Sequence, residues 1–97
     1  MLVAGRTITL STTYNRSLRD LGIFPNTPRH RLVAAAVRPL TASENLPGPG
    51  DYETRYRPGR AYVRRVPNQN VWLLYRFDAE HVYLMNAQGT PPVPMAE

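Results

Sequence analysis

Residues 60–87, RAYVRRVPNQNVWLLYRFDAEHVYLMNA, contain the pattern that decides the fold. Three runs rich in β-branched and aromatic residues, 60–66, 71–77 and 82–87, are separated by PNQN at 67–70 and DAEH at 78–81. Runs of this composition predict strands, and connections this short predict antiparallel hairpins. The stretch therefore predicts a three-stranded meander.

The alternation of side chains along these strands predicts the composition of the two sheet faces. The shortest turns place Val66 opposite Val71 and Phe77 opposite Val82. One face then carries Tyr62, Arg64, Leu73, Tyr75, Phe77, Val82 and Leu84. The other carries Val63, Arg65, Trp72, Leu74, Arg76, Tyr83 and Met85. Both faces are apolar enough to pack against helices, so the pattern leaves open which one is covered.

The N-terminal half of the chain predicts one short strand and two helices. Residues 6–10 (RTITL), which include three β-branched residues, predict the strand. The N-cap of the first helix is one of three hydroxyl residues: Ser11, Thr12 or Thr13. The apolar residues of this first helix recur at helical spacing, and the helix is expected to end at Gly22. The second helix is expected to begin at Thr27-Pro28 and to stop or kink at Pro39. The two helices are expected to form a helical hairpin.

The remaining segments are rich in proline and glycine. Residues 41–59 predict a long loop, and residues 89–97 predict an extended, proline-rich C-terminal tail. We therefore expect residues 1–97 to form a single α+β domain. In it a short N-terminal strand and a helical hairpin pack on a three- to four-stranded antiparallel sheet.

The composition excludes several classes of function. The 97-residue chain has 12 cationic residues, all arginine, against seven carboxylates, which gives a formal net charge of +5. The absence of cysteine excludes disulfides and cysteine metal sites, and His30 has no companion at a metal-binding spacing, so we expect no metal and no small-molecule cofactor. No apolar run approaches the length of a membrane span, and the first residues do not resemble a secretory signal. The expected location is the cytoplasm.

The charge is concentrated in one segment. Five arginines and no carboxylate lie between residues 55 and 65, interleaved with tyrosines: Arg55, Arg57, Arg60, Arg64 and Arg65. Guanidinium groups bind phosphates through paired hydrogen bonds, and aromatic rings stack on bases, so this pattern is typical of an RNA-binding surface. A solvated strand edge and a surface for an acidic protein partner remain alternatives.

Three runs carry a resemblance to a known family: residues 62–66 (YVRRV), 72–78 (WLLYRFD) and 81–84 (HVYL). Together with the element order, the length and the basic balance, they resemble the RelE/ParE toxin superfamily of bacterial type II toxin–antitoxin systems. The resemblance implies a toxin that is neutralised by a cognate antitoxin protein. It also implies one of two activities, either cleavage of messenger RNA on the ribosome or inhibition of DNA gyrase.

Candidate site residues follow from the chemistry of RNA cleavage together with this resemblance. Cleavage without a metal needs a base for the 2′-OH proton, a cation at the phosphate and an acid for the leaving oxygen. Arginine supplies only the cation, since its guanidinium stays protonated. The candidates for catalysis are Arg65, Arg76, Tyr83 and His81. The candidates for RNA binding are Arg55, Arg57, Arg60, Arg64 and Trp72. The expected activity is that of a metal-independent endoribonuclease.

Two alternatives from other functional classes remain open at this point. A ParE-like, non-enzymatic inhibitor of DNA gyrase is favoured by Trp72, which stands where the ribonuclease members carry a basic residue, and by the proline-rich tail. The other is a non-toxic interaction module with the same fold.

Overall fold

Two helices pack on one face of a five-stranded sheet in the computed structural model, which describes residues 5–42 and 46–95. The elements in chain order are β1 (Thr7–Leu10), α1 (Thr12–Asp20), α2 (Pro28–Ala42), β2 (Tyr52–Tyr56), β3 (Gly59–Arg65), β4 (Trp72–Phe77) and β5 (His81–Gln88). The strands lie in the order β1-β5-β4-β3-β2. The predicted α+β class is confirmed.

The sheet differs from the prediction in strand number and direction. We expected three or four antiparallel strands, whereas β1 runs parallel to β5 and the sheet is mixed. The parallel pairing is reached through the helical hairpin, which carries the chain across the sheet before it returns. The fifth strand, Tyr52–Tyr56, lies within residues 41–59, which were predicted as a loop, and pairs with β3 along its whole length.

The helices are positioned by local signals at their ends. Ser11 is the N-cap of α1, since its Oγ accepts a hydrogen bond from the Tyr14 backbone N–H at 3.0 Å. The chain leaves this helix through Gly22, whose φ of 76° suits a residue without a side chain. The prediction that α2 could stop at Pro39 is wrong, because this helix continues to Ala42. Pro39 lies in the last turn, where its ring costs the helix a single backbone hydrogen bond.

The meander has the predicted register, and the helices cover the face that carries Leu73, Tyr75 and Leu84, here called the helix face. Phe77 pairs with Val82, and the Val66 N–H donates to the Val71 carbonyl. The core between this face and the helices contains Tyr14, Leu18, Ile23, Val33, Ala36, Leu40, Val66, Val71, Leu73, Tyr75, Val82, Leu84 and Ala87. The opposite face, here called the second face, holds a smaller apolar cluster centred on Ala61, Val63 and Leu74.

A β-bulge interrupts the pairing of β4 with β5. Tyr75 pairs with Leu84 and Leu74 with Asn86, so Met85 is the extra residue. The Met85 carbonyl is therefore released from the ladder and accepts a hydrogen bond from Ser11 Oγ at 3.0 Å and one from the Tyr56 hydroxyl at 3.4 Å. The bulge joins the start of α1 to the second face of the sheet.

The C-terminal tail crosses the second face and is attached to the outer edge of β2. Tyr52 and Thr54 donate side-chain hydrogen bonds to the carbonyls of Pro92 (2.6 Å) and Val93 (2.7 Å). The Met95 N–H donates to the Glu53 carbonyl, and Pro94 forms one isolated bridge with Thr54. Residues 89–95 are thus extended, as expected, and cover the middle of the second face.

Candidate nucleic-acid interface

The turn between β4 and β5 is organised around the Asp78 carboxylate. Asp78 Oδ1 accepts hydrogen bonds from the backbone N–H groups of Glu80 (2.8 Å) and His81 (2.7 Å). These bonds, the one from Glu80 above all, lower the pKa of Asp78 below its ordinary value. The same oxygen lies 3.3 Å from His81 Nδ1. An ionised carboxylate therefore fixes one ring nitrogen of the histidine and leaves Nε2 for a ligand.

His81 and Tyr83 lie side by side on the second face, two residues apart on β5. Their rings are stacked with centroids 5.6 Å apart and an interplanar angle of 28°. The Tyr83 hydroxyl lies 3.5 Å from Asp78 Oδ2, which is the outer limit of a hydrogen bond. Desolvation, followed by the charge of Asp78, raises the pKa of Tyr83 above its ordinary value. Tyr83 is therefore a proton donor at neutral pH and not a base.

Arg76 is a cation on the strand next to this pair, where it lies opposite Tyr83 in the register of β4 with β5. Its Nε donates to the Arg60 carbonyl at 2.9 Å and its Nη2 to the Tyr56 carbonyl at 2.7 Å, with the guanidinium 5.7 Å from the centre of the Tyr56 ring. Within residues 5–42 and 46–95, no group bonds to its Nη1. The side chain thus ties the β2–β3 hairpin to β4 and still offers donors to an anion.

Arg65 and Trp72 form a separate group at the other end of the second face. The two residues are paired in register, the Arg65 guanidinium lies 5.3 Å from the Trp72 ring centre, and Arg65 Nε donates to the Gln69 carbonyl. Trp72 is four positions from Arg76 on β4, which corresponds to about 13 Å along an extended strand. Arg65 therefore does not share a site with His81 and Tyr83.

The arginine segment 55–65 does not form one continuous surface. Arg55, Arg60 and Arg64 project on the helix face, Arg65 projects on the second face, and Arg57 lies in the β2–β3 turn. Alternation along a strand sends neighbours in sequence to opposite faces, which explains the division. The five residues predicted together are thus distributed over both sides of the sheet.

Arg64 is held in a buried network that the sequence did not reveal. It donates to both carboxylate oxygens of Asp51, the shortest contact being 2.7 Å, and the Tyr75 hydroxyl donates to the same carboxylate at 2.5 Å. The side chains of Asp51 and Arg64 are only 3% and 19% exposed. The hydrogen bond to Asp51 is the main cause that raises the pKa of Arg64, while burial is the main cause for Tyr75. Arg64 is therefore anchored by Asp51, which lies within residues 41–59, the segment predicted as a loop.

The residues near the β4–β5 turn, His81, Tyr83 and Arg76, can do three kinds of chemistry. His81 can accept a proton, Tyr83 can donate one, and Arg76 can hold an anion. Among the described residues there is no cluster of histidine and carboxylate side chains suited to a metal ion. In the same part of the chain, no helix is both long and apolar enough to cross a membrane.

Comparisons with known proteins do not assign a function to this chain. No family model matches the chain, and no curated protein and no solved structure matches it significantly.

Proposed function

We propose that this chain is the toxin component of a type II toxin–antitoxin system with RelE/ParE-like architecture, and that it acts in the cytoplasm by binding RNA on the ribosome and cleaving messenger RNA. The observation that carries the proposal is that His81 and Tyr83 are stacked side by side on the second face, with Arg76 opposite Tyr83 on the neighbouring strand. Supporting it are the net charge of +5 and the order of elements, in which a strand and a helical hairpin precede an arginine-bearing meander.

In the proposed reaction, the three side chains divide the roles that RNA cleavage requires. His81 takes the proton of the 2′-OH, and its oxygen attacks the adjacent phosphorus. Arg76 neutralises the charge that develops on the phosphate oxygens. The bond from phosphorus to the 5′-oxygen breaks, and Tyr83 supplies the proton to that leaving oxygen. Asp78 keeps the His81 imidazole oriented throughout.

The test is induced expression followed by primer extension on ribosome-bound transcripts. The wild-type chain is expected to arrest growth and to produce discrete cuts. His81→Gln should slow cleavage about 100-fold or more, which is the usual contribution of a general base. His30→Gln is the matched control, because it removes the other histidine of the chain, which lies on α2. Equal cleavage by the His81→Gln variant would rule out the proposed site.

The proposed partner is a cognate antitoxin that covers apolar surface on the helix layer. Leu10, Phe24 and Leu32 are about half exposed, and a groove of about 370 Å³ lies between β1 and the two helices. Antitoxin binding should protect this region from hydrogen exchange. Copurification with the product of the neighbouring reading frame tests the partnership, and a chain that purifies alone after coexpression would contradict it.

Inhibition of DNA gyrase is the second candidate, and two observations favour it. Two of the three nitrogens of Arg76 are committed to backbone carbonyls, and Trp72 occupies the central strand β4 where a second cation would assist RNA cleavage. Under this alternative, transcripts stay intact while purified protein lowers the supercoiling activity of gyrase.

A further inference from the structure

The tip of the β2–β3 hairpin carries an unusual concentration of positive charge. Arg55 and Arg60 are directly opposite each other in the register, and Arg57 lies in the turn between them. Side chains at opposite positions of an antiparallel pair have Cβ atoms about 5 Å apart, and like charges there destabilise the sheet. One carboxylate, Glu53, compensates by bonding to Arg60 at 2.9 Å. Arg55 and Arg57 are exposed and have no bonded partner within the described ranges.

From this geometry we infer that the three arginines at the hairpin tip, Arg55, Arg57 and Arg60, form a clamp for the phosphate backbone of single-stranded RNA. A phosphate between Arg55 and Arg60 would remove the repulsion, because each guanidinium donates to its oxygens. An aromatic ring lies beside the clamp, since Tyr62 follows Arg60 on the same face of β3 and is only partly buried. Its hydroxyl bonds to no other described residue. An aromatic ring next to cations suits an unpaired base better than an acidic peptide.

The clamp is mechanically connected to the candidate site. Arg76 donates to the carbonyls of Tyr56 and Arg60, the two residues that flank the hairpin tip. Arg76 lies opposite Tyr83 in the register of β4 with β5, so these bonds fix the position of the tip relative to β5. Arg55 and Arg60 project on the helix face, whereas His81 and Tyr83 lie on the second face, so a strand of RNA held by the clamp has to cross the end of the sheet to reach the proposed catalytic residues. This role rests on the proposed function for the identity of the ligand.

The experiment measures binding of a fluorescein-labelled, unstructured RNA oligonucleotide by anisotropy at several salt concentrations. Each phosphate contact to single-stranded nucleic acid contributes about 0.7 to the steepness of log K against log salt. The triple variant Arg55→Gln, Arg57→Gln, Arg60→Gln removes three such contacts and should therefore reduce the magnitude of this slope by about 2. Between about 50 and 200 mM salt, the wild-type chain would lose roughly 20-fold more affinity than this variant. The matched control is Arg31→Gln, an exposed arginine on α2 that should leave the slope unchanged.

Three outcomes would overturn the clamp. They are an unchanged slope in the triple variant, an equal effect of Arg31→Gln, and arginine-dependent binding of polyglutamate without binding of RNA. The midpoint of thermal unfolding at low salt serves as the folding control, and Arg55→Gln alone should leave it unchanged or raise it, because repulsion is removed. His81→Gln should bind RNA like the wild-type chain. Loss of cleavage in that variant with retained binding therefore tests the reaction separately from the clamp.

Discussion

Removing the Asp51 carboxylate should be among the most damaging single changes to the stability of this protein. Asp51 accepts hydrogen bonds from Arg64, from the Tyr75 hydroxyl and from the Gly48 N–H, and its side chain is 3% exposed. Asp51→Ala leaves the mostly buried Arg64 without a counter-charge. Breaking a buried pair in this way costs about 3–5 kcal/mol. A domain of this size has a total stability of roughly 5–15 kcal/mol.

The same chain offers a matched control two residues away. Glu53 also pairs with an arginine of β3, but the two side chains, Glu53 and Arg60, are 35% and 64% exposed. Glu53→Ala should therefore cost no more than about 1 kcal/mol. Urea denaturation followed by the fluorescence of the single tryptophan, Trp72, gives both values, and the Asp51→Ala variant should also melt roughly 12–24 °C lower. A loss below about 1 kcal/mol for Asp51→Ala would refute the argument that burial makes this pair costly to break.

Three further predictions concern the cap and two titrating groups. Ser11→Ala should lower the free energy of unfolding by about 1–2 kcal/mol, whereas Thr12→Ala should stay within about 0.5 kcal/mol; equal losses in urea titrations would contradict the N-cap assignment. Burial raises the pKa of Tyr14 to about 12. The contribution of this tyrosine to the free energy of unfolding is therefore complete below pH 10 and falls by roughly 2–3 kcal/mol as the pH rises to about 12. In the Tyr14→Phe variant, the free energy of unfolding from urea titrations should fall less over this pH range. A fall as steep as that of the wild-type chain would contradict the role of Tyr14. The pKa of Asp78 is lowered, mainly by the Glu80 N–H, so its contribution is present above the ordinary value of 3.8 and is lost as the pH falls through the lower folded-state value. Asp78→Asn should therefore show a flatter fall of the melting temperature below about pH 5, and a parallel acid profile would disprove the link.

The parts of the fold set by short-range pattern were predicted from the sequence. The pairings of Val66 with Val71 and of Phe77 with Val82 are those expected if the meander uses its shortest turns, and the structure confirms them. The identity of the N-cap was narrowed to three residues, and the structure selects Ser11 because its hydroxyl also reaches the bulge at Met85. These features depend on a few neighbouring residues, so a short sequence pattern is enough to predict them.

The features that depend on distant partners were missed. Strand β2, with the sequence YETRY, is an edge strand whose pairing with β3 outweighs the proline and glycine on both sides. The parallel pairing of β1 with β5 joins segments that no short turn connects. The bond between Arg64 and Asp51 likewise joins a strand to a loop, and composition carries no sign of such a contact.

The candidate site was predicted in part. The period of two along β5 places His81 beside Tyr83, and the sequence identified both residues. The same period already placed Arg64 and Arg65 on opposite faces, whereas the position of Arg55 was missed because residues 41–59 were predicted as a loop. The orienting role of Asp78 was not inferred, although an aspartate at the start of a tight turn is the signal that could have indicated it.

The pairing of the first strand with the last has a consequence for the nascent chain. Ser11 and Met85 are 74 positions apart, and β5, which contacts both helices, lies in the second half of the chain. During synthesis the helical hairpin therefore emerges before the sheet that buries Tyr14, Leu18 and Val33. Long-range closure of this kind slows folding and leaves apolar surface open to aggregation. The interval before β5 leaves the ribosome is thus the period in which a chaperone, or a partner made beforehand, has most to protect.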